Sequence, residues 1–597
     1  MSLDKKLNTY IANSRISLII LVSLAIILNW NTLKGGYVLD DVVVLTDNSL
    51  VKEGVKGIPD LLTKEYFYGL AKKESDLSGG RYRPLALVVF AIEYEVFGFN
   101  PFVSHLINVL LFAAVMFFLF KILNDHILKN YPPGITFLLC MLFLVHPIHT
   151  EVIANIKSRD ELISLLLLIA SGYGFIKYAH NENKLALFQA LFCFFLALLT
   201  RESAIPFIIV VPMISYYFYN QSIKTSLKFI LPLSAVFVVY MLIRLSVVGI
   251  THGIDKSILN FPFVNATPYQ AFATKVYLLF KYVSLLFYPF PLSFDYGYNE
   301  IPYLELFSAK TILSGLILVL LFIIGLLGIA KRSVLSFGIL YFFATIFLFS
   351  NFIIDIGAPL AERLLFQPSI GFCLIIAYYL IKVPTNFKSA AFISYFVILL
   401  IFANKTVARN NDWESNYTLF TKDVKSCPNS VRANLFAGQQ CLTRANSEKD
   451  PIARREYYQR AVFYDQRILS IYPHYQFIYE DLGYAYLGLG NKFNTADFWI
   501  KAYNLDESNS KLRKQMNMLS DVMYNSGNKK FRANEIDSAI VYFESAVDLN
   551  PDNGDAWYNL GASYFTSNKE KEGVNAWQIA YQLSPNHTFD RTAYIRK

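Results

Sequence analysis

Eleven runs of mostly apolar residues, all before residue 405, leave this chain few ways to fold. They lie near 15–32, 102–124, 134–149, 161–179, 184–200, 203–219, 226–248, 310–330, 334–351, 365–382 and 387–404. A bilayer needs roughly 20 such residues per spanning helix, and it offers the backbone no water to bond to. The runs therefore read as membrane helices. A further segment, 271–290, is ambiguous: Lys275, Lys281 and many aromatics suit an interfacial or re-entrant helix. The first run has no small-residue cleavage site and reads as a retained span. Hydrophobic residues make up 54% of the chain, with the excess before 405 and a polar tail rich in Tyr, Asn, Lys and Glu beyond. The expected architecture is all-α, with a polytopic membrane domain over 1–408 and a soluble domain over 409–597.

The net charge of +9 resides mostly in short loops between apolar runs, where membrane orientation accounts for it and nucleic acid is not called for. Lys5, Lys6 and Arg15 place the N-terminus on the cytoplasmic side. Lys331, Arg332, Lys382 and Lys388 obey the same rule if 271–290 does not cross. Eleven spans then send the C-terminus outside, with twelve as the alternative. In this topology the Asp40–Asp41 loop, "HPIHTEVIANIKSRDE", "TRES", "LSFDY" and "IDIGAPLAERLLFQPS" all face outward. The five cysteines form no CxxC or metal-ligand pattern. Cys427 and Cys441 pair only if the chain folds back between them, so free thiols are expected.

The tail repeats. Ala461, Asp465, Ile468 and Pro473 recur 34 residues later as Thr495, Trp499, Ala502 and Glu507. Ala539, Phe543, Ala546 and Pro551 recur at the same interval as Gly573, Trp577, Ala580 and Pro585, and a ten-residue insertion separates the two sets. With Trp557, Leu560, Gly561 and Tyr564, this is tetratricopeptide spacing. A half-unit with Phe420 and Pro428 is expected to open the array. Stacked helix pairs offer a concave surface for peptides or proteins; a plain spacer is the alternative.

Group transfer from a membrane lipid needs a carboxylate to take the acceptor's proton, cations for the leaving phosphate, and an apolar groove for the lipid tail. Asp40 or Asp41 suits the first task; in extended backbone their side chains diverge, so one can be the base while the other orients. Arg81, Arg83, Arg159, Arg201 and Arg363 are the outward arginines, and a guanidinium forks onto phosphate. Arg363 also has Glu362 beside it as a pairing partner. His146 and His149, three apart across Pro147, make a poor metal pair and are read as hydrogen-bond donors.

The ordered set "LDDVVVLTDN", "RYRPL", "HPIHTEVIANIKSRDEL", "TRES" and "PLAERLLFQPSIGF", followed by "RNNDWESNYTLFTKDVKSCPNS" and the repeats, resembles the transmembrane and tetratricopeptide-repeat-containing (TMTC) proteins over almost the whole chain. These are GT-C glycosyltransferases. The resemblance implies transfer of a sugar, mannose above all, from a polyprenyl-phosphate donor to Ser or Thr of exported proteins, by an inverting mechanism that needs neither metal nor cofactor. It implies Asp40, or else Asp41, as base, with Arg363, Arg201, Arg83 and Arg159 toward the donor phosphate. His146, His149, Glu151, Glu202 and Glu362 support them. The stretch usually Lys-Glu in the family is Arg201-Glu202 here, and the array is short, about four units. Membrane lipids and acceptor proteins held in the repeat groove are the expected partners. Rival readings are a membrane-anchored repeat scaffold, a transporter, or a GT-C enzyme acting on a glycan or lipid. A bacterial inner membrane with a periplasmic tail is favoured, with the endoplasmic reticulum as alternative.

Overall fold

The computed structural model describes residues 14–71, 80–132, 134–249, 258–259, 263–353 and 355–584, and every regular element among them is helical. Two compact units emerge, Met1–Ser430 and Val431–Lys597.

In the first unit, six helices are long and apolar enough to cross a membrane: Ser14–Lys34, Pro101–Ile127, Ile156–Asn181, Ile223–Val248, Ala309–Leu327 and Thr385–Asp412. Ile135–Val145 and Pro147–Ala154 meet at 57°. Pro147 lacks the N–H that would continue the helix, and its ring crowds the preceding turn. Four apolar helices are shorter: Lys184–Thr200, Glu202–Phe218, Val334–Phe349 and Ser369–Lys382. All eleven anticipated segments are thus helical. Side-chain caps start several of them. Asn100 accepts from the Val103 N–H, Asn183 from Leu185 and Ala186, and Ser308 from Thr311. Every residue from Ile135 to Val145 is buried, as expected of a helix that is apolar all round.

The ambiguous segment is a helix, Pro268–Phe287, opened by a reciprocal Thr267–Gln270 capping box. It is not among the helices that qualify to span. Its Lys275 pairs with Asp355 at 2.6 Å, while Tyr269, Phe272 and Phe287 stay exposed. Lys5 and Lys6 lie outside the described residues.

The boundary expected at 408 moves to 430. Arg409 forks onto Asp423 in the helix Asn416–Ser426, and Asp423 Oδ2 accepts from the Phe294 N–H at 2.6 Å. Ser430 Oγ donates to Asp295 at 2.8 Å. Phe420, expected to open the repeat array, instead packs on Phe294 within the first unit, ring centroids 4.9 Å apart.

Among its described residues the second unit has four helix pairs: Val431–Ser447 with Pro451–Ile471, Gln476–Gly488 with Lys492–Leu505, Ser510–Arg532 with Ile536–Leu549, and Gly554–Thr566 with Glu570–Leu583. The repeat positions Ala461, Ile468, Thr495, Trp499, Ala502, Ala539, Phe543, Ala546, Trp577 and Ala580 are all buried. The insertion lengthens a helix and adds no loop, since Ser510–Arg532 has 23 residues against 13 in Gln476–Gly488 and in Gly554–Thr566. Pro585 lies outside the described residues.

Candidate active site

Asp40 and Asp41 follow Leu39, whose φ of 57° is rare for a bulky residue, and precede a π-helical turn, Val42–Thr46. The loop is fastened from outside itself. Asn416 Oδ1 accepts the Leu39 N–H at 2.8 Å, the Gly36 N–H donates to Glu414 O at 3.0 Å, and a His105 ring nitrogen meets Gly36 O at 3.3 Å. The backbone is therefore a turn and not the extended form expected. Even so, the two carboxylates diverge, and both reach the same residue. Lys157 Nζ donates to Asp40 Oδ2 at 2.9 Å, and the Lys157 backbone N–H donates to Asp41 Oδ1 at 2.6 Å. Asp41 Oδ2 takes the Val38 N–H at 3.0 Å.

Their environments differ. The Asp40 side chain is 46% exposed while that of Lys157 is 5% exposed. The ammonium of Lys157 holds the Asp40 carboxyl far below the usual carboxylate range, against its partial burial, with Arg363 and Arg81 adding to the field. Asp41 is fully buried, and burial pushes its carboxyl up to about 7 despite the backbone N–H groups that favour its charge.

Beside this pair runs a chain of ionic contacts. Arg83 Nε lies 2.8 Å from Glu202 and its Nη1 3.1 Å from Asp160. Arg201 meets Asp160 at 2.7 Å and Glu161 at 2.8 Å. Ser203 Oγ donates to Glu161 at 3.0 Å, and Gln367 Nε2 donates to Ser203 Oγ at 3.2 Å. Arg363 pairs with Glu151 rather than with its neighbour Glu362, and its backbone N–H donates to Glu151 Oε2 at 3.1 Å. Burial opposes the Arg363 charge, but Glu151 beside it holds the guanidinium protonated.

Other expected site residues stand apart from this chain. Arg159 is 1% exposed, ion-paired with Glu93, donating to Asn108 Oδ1 at 2.7 Å and to Ser104 O at 2.9 Å. Its guanidinium also lies 4.7 Å from the centre of the Phe90 ring. A phosphate-binding role does not fit a guanidinium so enclosed. Glu362 accepts from the Ser293 N–H at 2.6 Å and from Tyr296 OH at 2.8 Å, and burial raises its carboxyl to about 8. His146 meets Leu286 O at 3.0 Å; His149 meets Phe143 O at 2.7 Å and Ser369 Oγ at 3.0 Å. Both histidines tie helices together. Among the described residues no three His, Cys, Asp or Glu gather as a metal site, and all five cysteines are free. Lys157, Asp160 and Glu161 join these contacts although the sequence does not single them out. The alternation of charge in "KSRDE", at the start of a spanning helix, was the available signal.

An apolar cavity of about 120 Å³ lies among the membrane helices. Leu119, Phe175, Phe207, Phe337 and Ile370 help to line it, and Gln367, the end of the polar chain above, forms part of its wall.

A tetratricopeptide-repeat family model, described as TPR repeat, matches residues 527–568. The human protein O-mannosyl-transferase TMTC3 is 26% identical over 598 residues, covering 94% of this chain and 63% of its own. The protein O-mannosyl-transferase F38B6.6 of Caenorhabditis elegans is 26% identical over 434 residues, covering 71% and 59%. The similarity runs through the membrane unit and the repeats alike. The chain is similar to the TMTC proteins over most of its length. Human TMTC1 is similar at 26% identity, over 76% of this chain and 54% of its own. The chain thus spans less than two thirds of these relatives' length. The crystal structure of MamA is 18% identical and covers 31% of this chain and 94% of its own, with a TM-score of 0.16, a likeness too slight to bear on the fold.

Proposed function

We propose that the chain moves a sugar, mannose as in the activity its relatives are named for, from a polyprenyl-phosphate to Ser or Thr hydroxyls of exported proteins. The observation that carries the reading is Asp40: a half-exposed carboxylate seated on a buried ammonium, in the turn that follows the first apolar helix. In this reaction the acceptor oxygen bonds to the sugar's anomeric carbon as the bond from that carbon to the phosphate oxygen breaks. The configuration inverts, the hydroxyl proton passes to Asp40, and the electron pair leaves with the polyprenyl phosphate.

While paired with Lys157, Asp40 is a poor base, because the ammonium stabilises its charged form. A leaving phosphate that draws the ammonium away restores basicity as the hydroxyl needs it. Arg363 steadies the phosphate's growing charge, a task for cations and not for a cofactor. The apolar cavity suits an isoprenoid tail, and the repeats suit capture of the acceptor protein.

Full-length protein in nanodiscs, given polyprenyl-phosphate mannose and a periplasmic or luminal extract, tests this. Asp40→Asn keeps shape and removes the base, so turnover falls by about 10²–10⁴ with donor binding nearly unchanged. Arg363→Lys keeps charge but loses the fork, so donor binding weakens too. Full activity in Asp40→Asn overturns the assignment.

A further inference from the structure

The four arginines expected to hold phosphate all have carboxylate partners: Arg83 with Glu202 and Asp160, Arg159 with Glu93, Arg201 with Asp160 and Glu161, Arg363 with Glu151. Arg81 does not. Among the described residues its side chain makes no hydrogen bond or ion pair, and its guanidinium only stands 5.8 Å from the centre of the Phe67 ring. Asp40 and Glu202 lie within its field without touching it.

This is not a loose side chain on a loose loop. Gly80, Arg81 and Tyr82, which carry it, are each bonded to another part of the unit. Arg244 donates to Gly80 O at 2.7 Å, the Tyr66 N–H to Arg81 O at 3.1 Å, and Tyr82 OH to Leu62 O at 2.8 Å. Pro84 then begins the helix Pro84–Phe97. The backbone is held, and the Arg81 guanidinium, unpaired among the described residues, lies in the field of Asp40 and Glu202.

A second group at this spot also lacks a partner. Tyr66 is 2% exposed, and its hydroxyl has no hydrogen-bond partner among the described residues. Its electrostatic neighbours are Asp160, Arg83, Arg81 and Asp40, which places it inside the same cluster. A buried phenol that donates to nothing costs free energy until some acceptor arrives. Two donors, one charged and one neutral, thus sit on a stretch joined by the bond from the Tyr66 N–H to Arg81 O, within the field of Asp40.

We infer that Arg81 and Tyr66 form the anion-receiving corner of the site and donate to the phosphate of the lipid-linked sugar and of the lipid phosphate it leaves behind. The inference rests on the lipid-phosphate reading above and assigns the contact to residues outside the expected four. A guanidinium gives two parallel donors to phosphate oxygens, and a phenol that stays protonated adds a third.

Equilibrium binding to the full chain in nanodiscs tests it with three probes: farnesyl phosphate, farnesol and inorganic phosphate. Wild type should bind farnesyl phosphate well above the other two. Arg81→Met should weaken farnesyl phosphate by about tenfold or more, the loss of a charge-assisted pair, while farnesol binding stays as in wild type and shows the tail site intact. Arg81→Lys should recover part of the loss. Tyr66→Phe removes no bond from the resting protein and relieves a buried, unpartnered hydroxyl, so its thermal unfolding midpoint should equal or exceed that of wild type while farnesyl phosphate weakens. If wild type prefers farnesyl phosphate and neither Arg81→Met nor Tyr66→Phe reduces that preference, this inference is overturned and the lipid-phosphate reading stands. If wild type binds farnesyl phosphate no better than farnesol, both fall. Equal retention of inorganic phosphate would show a free-anion site and overturn the lipid-phosphate assignment.

Discussion

Asp40 and Asp41 are adjacent in the chain, yet one faces outward on an ammonium and the other is sealed among backbone N–H groups. That difference predicts different phenotypes. Asp41→Asn keeps one acceptor but turns an amide N–H toward a backbone donor, so it should cost stability by about 1–3 kcal/mol and lower turnover less than Asp40→Asn. It should also change the pH dependence. The folded Asp41 carboxyl titrates near 7, above its ordinary value of 3.8, so the native state holds a proton that the unfolded chain has released. Its contribution to stability is full below about 4 and is lost as pH rises through 7. Glu362, raised to about 8, adds a slope of the same sign. Thermal unfolding of the wild type in detergent should therefore fall between pH 5 and 8, and Asp41→Asn should flatten the fall without levelling it. An equally steep fall in the variant would show that Asp41 is not buried protonated. None of this could be read from the pair "DD" alone, because what separates the two acids is Lys157, brought in from a stretch 116 and 117 positions away.

Among helices, the repeats are held by a glycine facing an aromatic ring. A Cβ added to Gly483 would sit 2.1 Å from Trp499, one on Gly527 2.7 Å from Phe543, and one on Gly561 2.3 Å from Trp577. Gly→Ala inside a helix normally stabilises by about 0.5–1 kcal/mol. Here overpacking, worth about 1–3 kcal/mol, decides the sign. Gly561→Ala should lower the unfolding midpoint of the repeats, and Trp577→Ala should cost about 3–5 kcal/mol through the cavity it leaves. The first pair breaks the pattern. Asp465 takes the place of the ring, opposite Gly438, fully buried with neither oxygen bonded among the described residues. Burial, with Asp481 nearby, raises its carboxyl well above the ordinary range. Its stabilising proton is therefore lost as pH climbs from acid toward alkaline. Asp465→Asn should raise the repeats' unfolding midpoint at pH 8 more than at pH 5, and the reverse order would contradict a neutral Asp465. The 34-residue interval made the helix pairs and their buried faces legible. It also placed an acid in an aromatic slot, but spacing carries no information about whether such an acid finds a partner.

For the molecule as a whole, the apolar runs made eleven helical segments legible and the 34-residue interval made a helical repeat unit legible, because hydrophobic length and period are local properties of a sequence. Partner choice is not local. Arg159 and Arg81 look alike in the chain, and only folding shows that Glu93 claims one and that no acid among the described residues touches the other. The same limit explains the domain boundary. Composition turns polar near 405, yet Arg409, Asp423 and Ser430 complete the first unit through the loop that carries Phe294 and Asp295. Two truncations separate these boundaries. A chain ended after Ser430 keeps Asp423 on the Phe294 N–H and Ser430 on Asp295, so it should fold and bind donor like the full chain. A chain ended after 408 loses the Arg409–Asp423 fork and leaves buried donors of the 293–297 loop unpaired, with a cost of about 1–3 kcal/mol for each. Its unfolding midpoint should drop sharply, and donor binding should weaken because Glu362, next to Arg363, bonds that same loop. Equal stability of the two truncations would return the boundary to 408. Activity of the longer truncation then tests the repeats. If they select acceptors, the 1–430 chain should bind donor normally and modify native protein acceptors far less than the full chain, whereas undiminished modification would reduce the four helix pairs to a spacer.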